Sequence, residues 1–182
     1  MAKKFSINKI AKNFQKLKKT LPVEVGNLAQ NFFRSSFEKQ GFTDSSFKAW
    51  KPKENKNAKA KILVGEKRGG TLRRSVGSSL KTTSWDNISF KVPLDYAAIH
   101  NNGGTINKKS RTFDLGFRKR RGMDVMIFAK IGGKKKKATF IQTVTAGAHT
   151  ITMPQRKFMG NSKVMFKKID NVIHKQMKRL NK

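Results

Sequence analysis

Apolar residues at helical spacing open and close this chain, and only short alternating stretches lie between them. Ile7, Ile10, Phe14 and Leu17 recur at spacings of three and four, with lysines on the opposite face. Val25, Leu28, Phe32 and Phe33 continue a helical face. It begins at Pro22, whose missing N–H suits a first turn, and ends at Gly41, placed for a left-handed stop. Near the other end Phe166, Ile169, Val172, Ile173, Met177 and Leu180 share one stripe, with Asn161 or Ser162 available as the cap. Lys175, Lys178, Arg179 and Lys182 suit the negative end of that helix dipole. The pattern predicts a basic amphipathic segment over 5–19, a helix over about 22–40 and a closing helix beyond Ser162.

The middle of the chain reads differently. Two strand-like runs, 78–85 and 88–94, flank Asp86-Asn87 as a hairpin does, and Pro93 ends the second because it cannot donate to a ladder. Tyr96 to His100 suits one helical turn, broken by Asn101-Asn102-Gly103-Gly104. "DVMIFAKI", "ATFIQTV" and "HTITM" are further strands, whereas "NKKSRTFDLGFRKRRG" at 107–122 reads as an exposed basic excursion. Trp50 stands in the polar stretch 42–70, where a tryptophan more often plugs a core edge than stacks on a base. The expected fold is α+β: an antiparallel sheet of about five strands, with N-terminal helices and a closing C-terminal helix packed on it. The expected organisation is a basic arm over 1–20 and one domain over 21–182, with a basic loop insertion at about 105–137.

Charge limits the partners. The chain holds 42 Lys and Arg against 10 Asp and Glu, a net +32, which a compact monomer carries only against its own repulsion. DNA, RNA or acidic protein surfaces would offset it; the bland alternative is lysine enrichment by an AT-rich genome. No Cys is present, which removes disulfides and thiolate metal sites. No apolar run approaches the roughly 20 residues of a membrane span, and the N-terminus lacks the apolar core of a signal peptide, so a soluble chain with no membrane partner is expected.

Tests for chemistry come back empty. No G-x-S-x-G elbow surrounds any serine, and His100, His149 and His174 lack ligand spacing, so no catalytic or metal residue is assigned. Asp86, Asp95, Asp114 and Asp124 are dispersed, unlike the carboxylate cluster of a two-metal nuclease. "GEKRGGTLRR" lacks the phosphate-loop spacing, so no cofactor is expected. The cations Arg73, Arg74, Lys108, Lys109, Arg118, Lys119, Arg120, Arg121, Lys134, Lys135, Lys136 and Lys137 fall on expected loops and turns. Loop cations contact phosphates without reading sequence, which makes these the candidate anion-facing or DNA-facing residues.

Four stretches are familiar together: "FEKQGFTDSSFKAWKP", "GGTLRRSV", "DYAAIHNNGGTI" and "MPQRKFMGNS". In order and spacing they resemble the virion morphogenesis, or tail completion, proteins of tailed phages, including the Mu-like and P2-like tail completion proteins. They are also similar to the related tail-to-head joining proteins of siphophages. The shared patterns are Gly-x-Leu-Arg-x-Ser, Tyr-Ala-x-x-His-x-x-Gly-Gly and Met-Pro-x-Arg-x-Phe-x-Gly. The basic 107–137 region and the N-terminal arm depart from the pattern.

The resemblance implies a non-enzymatic structural protein of the virion neck, assembled in the host cytoplasm. It implies a ring of copies, hexameric by expectation, around the channel through which packaged DNA passes. A connector or head-completion protein would stand on one side, and a tail terminator or tail tube protein on the other. Tyr96, His100, Asn102, Gly103, Gly104, Met153, Pro154, Arg156, Phe158 and Gly160 become the candidate subunit or neck interface. Phe158 is expected at the base of the last helix and Arg156 on a neighbouring loop or subunit. The alternative from charge alone is a nonspecific nucleic-acid-binding protein that contacts phosphates through basic loops.

Overall fold

The computed structural model describes residues 7–54, 60–64, 70–119, 126–128 and 140–180. Among them the chain is α+β. The helices are α1 (Ile7–Lys39), α2 (Thr71–Gly77), α3 (Asp95–Asn102) and α4 (Lys163–Leu180). The strands are β1 (Gly41–Thr43), β2 (Phe47–Ala49), β3 (Leu80–Thr83), β4 (Ile88–Phe90), β5 (Gly104–Lys108), β6 (Arg111–Lys119), β7 (Met126–Phe128), β8 (Phe140–Ala146) and β9 (His149–Met153). They form two compact units, residues 1–104 with 153–182, and residues 105–152.

Three expectations change. The first two helical segments are one helix, which runs through Pro22. A proline inside a helix costs about 3 kcal/mol and leaves the Lys18 carbonyl without its usual donor. Burial on one face offsets this: Leu17, Leu21, Gly26, Ala29, Phe33 and Phe37 all lie along it. At the far end the left-handed residue is Gln40, at φ 57°, rather than Gly41. Gly41 has a different task, because a Cβ there would lie 2.5 Å from the Lys48 carbonyl oxygen and the Phe47 ring. Gln40 is held by its side chain, which accepts from Ile62 N at 2.6 Å and donates to the carbonyls of Phe37 and Ile62.

The single sheet is the second change. Among the described residues the strands form four small sheets: β1 with β2, β3 with β4, β5 with β9, and β7-β6-β8. The 86–87 hairpin is present as β3–β4, whereas α2 stands where a loop was expected. Most of the expected basic excursion is strand, in β5 and β6. Third, α4 packs along α1 rather than on a sheet. Two residues start it: Ser162 Oγ accepts from Met165 N at 3.1 Å, and Asp44 Oδ1 accepts from Lys163 N at 2.9 Å.

The core belongs to the first unit. Phe37, fully buried, meets Trp50 edge-on at 5.5 Å and Phe158 at 5.3 Å. Phe32, Phe33, Phe42, Leu72, Val76 and Met165 complete the cluster. Trp50 thus plugs the core from β2's far end, as its isolation in the sequence suggested. In the second unit β6 is central, paired with β8 at seven positions from Arg111↔Ala146 to Phe117↔Phe140.

Candidate functional site

Three of the four motif stretches meet in the first unit, and the fourth supplies Leu72 and Val76 to the cluster beneath. The segment Pro154 to Ser162, after β9, carries no regular structure, so its backbone groups need partners from elsewhere. The Arg156 N–H donates to the His100 carbonyl at 2.8 Å, at the end of α3. Two residues on, Phe158 N and Met159 N both donate to Asn101 Oδ1, at 2.9 and 3.0 Å. Between them, the Lys157 carbonyl accepts from Trp50 Nε1 at 2.7 Å.

Side chains fasten the same segment. Arg156 is buried, and its Nε and Nη2 both donate to the Lys51 carbonyl at 3.3 Å. The residue therefore holds the Trp50-Lys51-Pro52 stretch of its own chain. Phe158, 2 % exposed, sits against Phe37 at the base of α4. Gly103, at φ 75°, lets the α3 end approach Gln155 so closely that a Cβ would lie 3.0 Å from its backbone nitrogen. Gly104 and Gly160 also take positive φ.

His100 faces inward. Its Nδ1 is buried without a partner among the described residues, and Tyr96 packs edge-on at 5.9 Å. Burial first, and the Arg156 charge second, hold the imidazole below its ordinary pKa of 6.5. Neutral at pH 7, it adds no charge to the junction. Tyr96, Asn102 and Gly104 are on the exposed side, while Met153 and Pro154 are half-buried.

The cation candidates scatter. Arg73 pairs with Glu38 and, with Arg34, Arg74, Gly77 and Ser78, lines a cleft of about 330 Å³. Lys108 and Lys109 are exposed where β5 turns into β6. Arg118 and Lys119 end β6, at register positions opposite Ile127 and Met126. Arg120, Arg121, Lys134, Lys135, Lys136 and Lys137 lie outside the described residues.

Asn101 and Asp44 were missed from the sequence, since each reads locally as a turn residue. The one available signal was position, as both lie inside the motif stretches. A family model matches residues 6–178. The chain belongs to the phage virion morphogenesis family. No curated protein and no solved structure matches it. Membership of the virion morphogenesis family gives the chain a structural or morphogenetic part in building a phage virion. Association with the virion follows, and no helix among the described residues is long and apolar enough to cross a membrane.

Proposed function

We propose that this virion morphogenesis protein completes the tail and joins it to the head, as one subunit of a ring around the DNA channel in the neck. The cation excess carries the reading. If each of the 10 acidic residues paired with a cation, 42 − 10 = 32 cations would still lack a carboxylate in the chain. Ring closure multiplies that charge and places it where packaged DNA and acidic neighbouring proteins offset it. DNA moving through the bore needs sequence-blind contacts, which exposed cations such as Lys108 and Lys109, where β5 passes into β6, supply. The exposed edge of the motif junction, with Tyr96, Asn102 and Gly104, is the proposed contact with the next subunit or with the neck proteins.

Virions made without the protein test this. Filled heads and free tails that do not join are expected, and addition of purified protein restores joining. Heads and tails that join normally in its absence overturn the reading.

The exposed Lys108, Lys109 and Arg111 favour the second reading, nonspecific nucleic-acid binding by the free chain. Titration of a DNA duplex at several salt concentrations separates the two. Tight binding with a steep negative salt slope and no role in joining favours the second.

A further inference from the structure

Among the described residues, strand β8 is an outer edge of its sheet, and β6 alone pairs with it, along its whole length and without a register shift. Its sequence, FIQTVTA, contains no charged residue and no proline, in a chain with 42 Lys and Arg. Natural edge strands are usually blunted by lysine, proline or a bulge, because an open ladder invites another strand. Lysine is the commonest resource of this chain, and β8 does not use it.

The strand is also open on both faces. Phe140 and Ile141 are 52 % and 63 % exposed, and successive residues of a strand point to opposite faces. Thr143 Oγ1 donates to Asp114 Oδ1 at 2.7 Å, so the carboxylate opposite it on β6 is engaged by the strand itself.

We infer that the outer edge of β8 takes a strand from a second copy of this chain, an inference that rests on the ring reading above. An unpaired row of backbone N–H and C=O groups is satisfied by another backbone in extended form. DNA or an acidic protein gains most on a cationic surface, and β8 offers none. A second copy brings a further +32, and meets least repulsion where the contact adds no cation. The apolar side chains at the edge then lose water on both faces.

The test uses the full chain. The double variant Ile141→Lys with Thr145→Lys puts two charges on exposed positions of β8. The control, Thr20→Lys with Thr82→Lys, adds the same charge at exposed positions on α1 and β3. Light scattering at fixed salt reads the oligomer, and hydrogen exchange reads the β8 amides. The β8 variant is expected to raise the dissociation constant roughly tenfold or more, with the control near wild type. The β8 amides of the wild type are expected to gain protection on oligomerisation.

Rings that persist in the β8 variant, or β8 amides that exchange equally in monomer and ring, overturn the inference and leave the ring standing. A wild type that is monomeric at every concentration, with fast-exchanging β8, overturns both. Protection that appears only when another virion protein is added overturns the second copy as occupant.

Discussion

The side chain oxygen of Asn101 takes the backbone N–H groups of both Phe158 and Met159, at 2.9 and 3.0 Å. One acceptor on α3 thereby fixes the stretch that leads into α4, across 57 positions of sequence. Asn101→Ala leaves two part-buried donors unpaired, at about 1–3 kcal/mol each. The expected result is a loss of stability in urea unfolding. Asn101→Asp keeps an acceptor there and is expected to lose less.

Phe158→Ala removes a ring that is 2 % exposed and packed on Phe37. The cost expected from transfer and cavity together is about 3–5 kcal/mol. Thermal unfolding checks it, and a change under 1 kcal/mol, about the size of a surface substitution, would show that the site collapses around the gap.

Gly103→Ala meets two obstacles, a φ of 75° and a backbone nitrogen 3.0 Å from the new Cβ. The strained conformation alone costs on the order of 1–3 kcal/mol. Circular dichroism melts are expected to show a clear loss, larger than for Gly147→Ala, where no atom lies within 4 Å of the added Cβ.

Arg156 reaches the Lys51 carbonyl with two nitrogens of one fork. Lysine presents a single point charge on a flexible stem and does not reproduce that geometry. Arg156→Lys is therefore expected to destabilise the first unit by roughly 1–3 kcal/mol, not far short of Arg156→Ala. Full rescue by lysine would show that charge alone matters there.

The burial that lowers the His100 pKa also makes stability depend on pH. The unfolded imidazole takes a proton below its ordinary value of 6.5, while the folded one resists. Stability is therefore full above that value and falls as pH drops toward the lower folded one. Melting temperatures across about pH 7.5 to 5 are expected to decline, with a shallower decline in His100→Gln.

How far the sequence carried depended on how local the cause was. The 86–87 hairpin and the Ser162 cap follow from neighbours within a few residues, and both are in the structure. The α4 stripe holds only in part: Ile169, Val172, Ile173 and Leu180 are half-buried, whereas Phe166 and Met177 are exposed and Met165 takes the buried place. The unbroken α1 was hidden because Pro22 is a local stop signal that burial along the whole helix overrides. Helix α2 was hidden because seven residues, glycine-flanked and basic, give too little periodicity to separate a helix from a loop. In the junction Phe158, Gly103 and Arg156 were legible as a motif, but the Lys51 and Asn101 partners were not. Those contacts span 105 and 57 positions, and no local pattern encodes them.

The distance between Trp50 and Lys157 also sets a schedule for synthesis. When Phe37 and Trp50 leave the ribosome, the residues that cover them, Phe158 and Met165, have yet to be made. The first unit therefore waits, with its aromatic faces uncovered, while the stretch 105–152 is translated. A ribosome that stalls before Phe158 releases a sticky, cationic fragment into a cell full of RNA, and one that passes it releases a chain able to close its core. The core of the first unit can therefore close only after Phe158 and Met165 have been made.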